Sequence, residues 1–258
     1  MKKLLTFSLL LFGLFLMSPD LTKASSLSDL DSTRELHLEL KDKGFVYLNE
    51  EGLIVISDDF SSLGINGDLA EEYKEVVNIL NSNLEAGIIS IDKDLDIQPV
   101  DVSEVAETVY ENDKKNEDNG ISLMSTYLNV TSLVETNTRQ LEDQYNAVYS
   151  YSPNSAYSFS VGWWVGKVRE GGAWDYKVVS GFSPWYKTFS MGLYSGTEVH
   201  NSKWLGNYNY GYTGQFLFSE RILLAGGDAI SLALNWVPDS QDVKNTISRA
   251  FRDGRAHY

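Results

Sequence analysis

The 258-residue sequence predicts an α+β fold in two parts, a small acidic α/β unit followed by an α+β, helix-rich domain. Three observations carry that expectation. Residues 25–119 hold 24 acidic and 7 basic side chains, whereas residues 120–258 hold 11 of each, so the net charge of −15 belongs to the first part. Apolar residues recur at helical spacing through segments such as 69–86, 133–149 and 240–252. Short apolar runs broken by asparagine and glycine have the pattern of paired strands.

In chain order, Lys2 and Lys3 precede an apolar run over residues 4–17, Pro19 breaks it, and Thr22-Lys23-Ala24 places small residues where a signal peptidase cuts. Residues 1–24 are therefore expected to be a signal peptide, with a membrane anchor as the alternative. A span needs roughly 20 apolar residues and this run is shorter, so a secreted protein with no stable membrane span after signal removal is expected. The chain has no cysteine, so packing alone must hold it, and 6 Trp, 15 Tyr and 11 Phe supply the bulk.

The acidic unit, residues 25–111, opens with a helix carrying Leu27, Leu30, His37 and Leu40 that ends at Gly44. Residues 45–56 read as a hairpin around Asn49-Glu50-Glu51-Gly52. Leu69, Tyr73, Val76, Val77, Leu80 and Leu84 predict a helix over 69–86, closed by Gly87. Strand-like pieces at 88–91 and 95–100 follow, then a short helix capped by Ser103 and running through Tyr110. Asp92-Lys93-Asp94-Leu95-Asp96 copies the opening of a calcium loop, but Ile97 stands where glycine is needed and Ser103 where a bidentate glutamate is needed. A solvated turn is expected there. His37, with no second histidine near it, reads as a partly exposed structural residue, and the acidic surface as a solubilising face.

Residues 112–120 contain no apolar side chain and read as a linker open to proteolysis. Two organisations follow: an acidic propeptide with a mature effector, or an intact two-part protein. In residues 121–258 a helix is predicted over 133–149, and a last helix is capped by Asp239 or Ser240. That helix has Asp242 in its first turn, Val243, Ile247, Ala250 and Phe251 on one face, and Arg249 and Arg252 toward its end. Periodicity does not decide whether 156–170 is helix or strand. Its Gly162-Trp163-Trp164-Val165-Gly166 suits either a ring surface for sugars or lipid headgroups, or a core.

Three stretches combine chemistry-bearing residues. Gly171-Gly172-Ala173-Trp174-Asp175-Tyr176-Lys177 sets a carboxylate two residues from an amine. Gly206-Asn207-Tyr208-Asn209-Tyr210-Gly211-Tyr212-Thr213-Gly214 alternates amides, phenols and glycines, and Leu223-Leu224-Ala225-Gly226-Gly227-Asp228 ends an apolar run on a carboxylate. For Asp175 a turn in which it caps a helix or pairs with Lys177 is the structural alternative, and for Asn207 and Asn209 a polar turn satisfying its own backbone.

In these three segments, across residues 155–235, the sequence resembles the polymorphic toxin type 44 domain of bacterial secreted toxins. Ala173 stands where the family commonly has proline and Tyr212 where it has a small residue, departures that would reshape a pocket. The resemblance implies an antibacterial toxin that acts as a ribonuclease, with a target-cell component such as RNA or the cell envelope and a cognate immunity protein as partners. An acid–base ribonuclease needs a base, an acid and a cation for the phosphorane charge. Asp175 as base and Lys177 as cation, with Tyr208, Tyr210 or Asp228 completing the set, meet that need, and His200 is a candidate acid if its loop folds back. Trp174, Asn207, Tyr208, Asn209 and Gly211 are the expected substrate contacts, with aromatic rings stacking on a base.

Asp175-Tyr176-Lys177 also copies half of a metal-nuclease signature, but Glu170 is too near to be its partner carboxylate. No metal site and no cofactor are expected: phosphate loops, zinc helices and nucleophile elbows are absent from the sequence, and without cysteine there is no thiol nucleophile. The competing class is a non-enzymatic bacteriocin or a protein aimed at the cell wall or membrane.

Overall fold

The computed structural model describes residues 30–57, 60, 63–116, 127–235 and 238–258, so the expected signal peptide and residues 117–120 of the expected linker lie outside the described residues. Helix α1 (Thr33–Asp42) starts where the Ser32 hydroxyl accepts from the Glu35 amide. It buries Leu36, His37 and Leu40. Strands β1 (Val46–Leu48) and β2 (Ile54–Ile56) then pair antiparallel, Val46 opposite Ile56, as the hairpin pattern predicts. Helix α2 (Gly67–Glu85) follows, ended by Gly87 at a φ of 68°. The two later pieces meet only in a bridge between Ile91 and Ile97. Between them Asp92 Oδ1 accepts from the amides of Asp94 and Asp96, which makes the five-residue acidic stretch a self-closed turn.

His37 corrects its expectation, because it is fully buried rather than partly exposed. Its Nδ1 lies 3.0 Å from the Tyr73 hydroxyl, and its ring stacks on Tyr151 at 3.7 Å between centroids. Burial, with the charges of Lys41 and Arg34, lowers its pKa to about 3, so the imidazole is neutral.

Helix α3 (Val102–Asn116) brings two corrections. Asp101, not Ser103, caps it, accepting from the amides of Ser103 and Glu104. It also runs through five residues of the expected linker. The reason is tertiary. Helix α5 (Pro153–Val168) offers a groove at Gly162 and Gly166, where an added Cβ would lie 2.7 Å from the carbonyl oxygens of Val102 and Ala106 respectively and 2.8 Å from the Cβ atoms of Val105 and Val109. The segment left open between helix and strand is thus a helix, and Trp163 and Trp164 are core rather than a sugar- or lipid-facing surface. Asp113 with Lys167 and Glu107 with Arg169, each pair at 2.7 Å, flank the same contact.

Strand β3 (Tyr127–Asn129) passes directly into helix α4 (Val130–Tyr151), whose first turn is capped by Asn129. Strands β4 (Thr188–Leu193) and β5 (Gly196–Asn201) complete a three-stranded sheet in the order β3-β4-β5, parallel then antiparallel. Helix α6 (Ser202–Gly214) starts straight from β5 on the Asn201 cap. Helices α7 (Glu220–Asn235) and α8 (Gln241–His257) close the chain, α8 being capped by Ser240 rather than Asp239. The protein is an α+β fold.

Two hydrophobic cores organise it. The first joins α1, α2, α3 and the hairpin to Leu141, Tyr151, Phe159, Trp163, Trp164 and Trp174. The second is built from Val130, Val134, Tyr176, Phe189, Met191, Leu205, Tyr208, Tyr212 and Ala250, and takes nothing from the described residues of 30–116.

Candidate functional site

Helix α6 is where the three chemistry-bearing stretches meet. Residues 206–214 lie within it, which replaces the polar turn expected for Asn207 and Asn209 with helix. Asn137 Nδ2 on α4 donates to both the Tyr176 hydroxyl and Asn209 Oδ1, each at 2.8 Å, and so ties the 171–177 turn to α6. Burial pushes the Tyr176 phenol up to about 12, partly offset by that bond. On the far side, the Tyr210 hydroxyl donates to the Leu223 carbonyl at 3.1 Å.

Several expected site residues are tied into the packing. Asp175 is 2% exposed, and its Oδ2 accepts from the Gly171 amide at 3.0 Å. Lys177 Nζ lies 3.3 Å from its Oδ1 but off the hydrogen-bond direction, so the pair is together as a turn-closing ion pair too enclosed for Asp175 to serve as a substrate's base. Asp228 pairs with Lys244 at 2.9 Å, which holds its carboxyl below the usual range, and accepts from the Asp239 amide. It joins α7 to the start of α8. Tyr210 packs on Trp164 at 5.0 Å, and burial raises its phenol well above the ordinary value.

The expected substrate contacts need a similar correction. Trp174 is buried edge-to-face against Trp163, Tyr208 and Asn209 are fully buried, and Gly211 lies under the α8 crossing, where a Cβ would meet the Ile247 carbonyl at 2.5 Å. Asn207 is half-buried. Tyr212 fills the second core, its hydroxyl 2.7 Å from that of Tyr194, rather than reshaping a pocket.

His200 is the exception. It needs no folded-back loop, because it stands on β5, where residues two apart share a face, and its Nε2 lies 2.9 Å from Glu198 Oε2. Its ring stacks on Trp204 at 3.8 Å and 7°. Arg249 of α8 grips Glu198 with both terminal nitrogens, Nη1 to Oε2 at 3.0 Å and Nη2 to Oε1 at 2.7 Å. The same Nη2 donates to the Ser195 hydroxyl, which donates to Glu198 at 2.8 Å. One turn further along α8, Asp253 accepts from the buried Tyr208 hydroxyl at 2.6 Å and lies 3.8 Å from Arg249 Nε. The Arg249 fork, with the bonds from His200 and Ser195, holds the Glu198 carboxyl far below its usual range and raises the guanidinium further.

This cluster places a partly exposed imidazole, a permanently ionised carboxylate and a fixed cation on one face of the second core. Sequence reasoning found His200 and missed Glu198, Ser195, Trp204 and Asp253, and it read Arg249 only as a helix-dipole residue. The available signals were the Glu198/His200 spacing on a strand and the Arg249/Asp253 spacing on a helix. Two open grooves, one lined by Leu53, Leu84 and Ile89 and one by Ile88, Pro99 and Val105, lie in the acidic unit, away from this chemistry. Among the described residues no three histidine, aspartate or glutamate side chains gather as a metal site, and no helix is long and apolar enough to cross a membrane. No protein-family model matches this chain, and no curated protein or solved structure matches it either.

Proposed function

We propose that the chain is a secreted antibacterial toxin of the polymorphic toxin type 44 kind, whose C-terminal part cleaves RNA in competing bacteria. Contact of the three resemblance-bearing stretches around α6 supports the family reading. The single observation that carries the reaction is the His200–Glu198–Arg249 cluster. Glu198 orients the imidazole, which takes the proton of the ribose 2′-hydroxyl as its oxygen attacks phosphorus. Arg249 stabilises the added negative charge. The bond from phosphorus to the 5′-oxygen then breaks, the imidazolium returns the proton to that oxygen, and a 2′,3′-cyclic phosphate remains. An immunity protein that covers this face follows from the same reading.

The test incubates the whole chain with RNA, DNA and peptidoglycan, with and without a chelator. RNA alone should be cut, leaving cyclic phosphate ends in either condition, and His200→Ala should reduce cutting about 100-fold or more with thermal unfolding retained. Digestion of peptidoglycan instead, or full activity in folded His200→Ala, overturns the proposal.

A further inference from the structure

Trp185 and Tyr186 stand beside this cluster and are 54% and 62% exposed, their rings edge-to-face at 5.4 Å. Two adjacent large rings in water contribute nothing to either core. Their loop is nevertheless held in place: the Trp185 carbonyl accepts from the Lys203 amide at 2.9 Å, and the Lys187 carbonyl accepts from the Ser202 amide at 2.9 Å. Lys203 directly precedes Trp204, on which His200 stacks, so the loop that carries the exposed pair is anchored at the start of α6, one residue from the His200 stacking partner.

Charge narrows what can settle on these rings. Residues 176–215 carry three lysines, of which Lys177 is paired with Asp175, and a single carboxylate, Glu198, in a chain whose net charge is −15. That carboxylate is already taken by Arg249, while Lys203 is exposed and makes no ion pair among the described residues. Exposed flat rings beside an unneutralised cation suit a ligand with a flat π-face and a phosphate. A neutral sugar would take hydrogen bonds from the lysine but no ionic attraction, whereas a phosphate takes both. A base inside a duplex has both faces covered, so only an unpaired one can stack.

We infer that Trp185 and Tyr186 form a stacking platform for unpaired bases of a single-stranded nucleic acid, with Lys203 on its phosphates. The inference deepens the RNA-cleaving reading and rests on it only for what happens to the strand after it binds.

A 2′-O-methyl oligonucleotide lacks the attacking hydroxyl, so its binding to the whole chain reads the platform without cleavage. Fluorescence anisotropy should show binding that weakens with salt and falls about tenfold or more in Trp185→Ala/Tyr186→Ala. Trp185→Phe should keep most of it. All these variants should unfold with the parent, because the replaced rings lie outside both cores. Equal binding by the double variant overturns the platform, as does a parent chain that binds no oligonucleotide or binds only a chitin-type oligosaccharide. A chain that binds through these rings yet cuts no RNA overturns the catalytic reading alone, and one that cuts RNA with binding indifferent to the rings overturns the platform alone.

Discussion

Val105 of α3 lies so close to Gly162 of α5 that a methyl group on the glycine would stand 2.8 Å from the valine Cβ. The acidic unit therefore does not hang from the rest of the chain; its last helix is seated in a groove that only glycine leaves open. Gly162→Ala must push α3 outward, and overpacking of this kind costs about 1–3 kcal/mol. A melting temperature lowered by several degrees is expected, with the same result for Gly166→Ala. Unchanged melting would contradict this docking.

The same contact bears on whether the acidic unit is shed. A protease site engineered between α3 and β3 should yield two fragments that still co-elute in gel filtration, because the first core spans the cut. Separate elution would favour a discarded propeptide.

His37 makes stability depend on acid. Its pKa is about 3 in the folded chain and about 6.5 when unfolded, so below pH ~6.5 the unfolded chain binds the proton first. Stability present above pH ~6.5 is then lost as pH falls toward 3, by up to about 1.4 kcal/mol per pH unit. His37→Phe keeps a ring on Tyr151 and removes the titration. Urea midpoints at neutral and mildly acidic pH should diverge less in the variant than in the parent, and parallel losses in the two would show that His37 titrates normally.

Arg249→Ala removes the fork on Glu198. Because both side chains are about a third exposed, the expected stability loss is only about 1 kcal/mol, whereas RNA cutting should fall far more. Arg249→Lys retains the charge without the two parallel bonds and should recover little activity. Wild-type cutting rates in Arg249→Ala would remove this residue from the mechanism.

Asp175→Ala should behave as a folding defect. It strips the Gly171 amide of its acceptor and deletes a buried carboxylate, a change worth about 1–3 kcal/mol. Denaturant unfolding should show that loss, while cutting per folded molecule stays near the parent value. A fully folded but inactive Asp175→Ala would return Asp175 to the chemistry.

Local patterns were enough to place most elements. The α2 stripe of Leu69, Tyr73, Val76, Val77 and Leu80, the turn at Gly52 and the Ser240 cap each depend on residues within a few positions of one another, so the linear sequence contains their cause. The charge partition near residue 119 was equally legible. Whether Gly162-Trp163-Trp164-Val165-Gly166 was surface or core was not, because its helix has apolar residues on all sides and the packing of α3, Trp174 and α6 against it decides which are covered.

The candidate site divides the same way. Asp175, Asn209 and Gly211 are unusual residue types in suggestive spacing, and spacing alone cannot tell a buried polar tie from an exposed reactive group. The Asp175 carboxylate closes its own turn on the Gly171 amide, but the bond from Asn137 to Asn209 and the approach of the Ile247 backbone to Gly211 are set by segments far apart in the chain. His200 was visible as a lone histidine, but its carboxylate stands on the same strand and its arginine comes from α8, 49 positions later in the numbering of the sequence. What the sequence by itself determined was the kind of elements and their charge; which side chains face one another across helices and strands was decided only when two separate cores closed around α6.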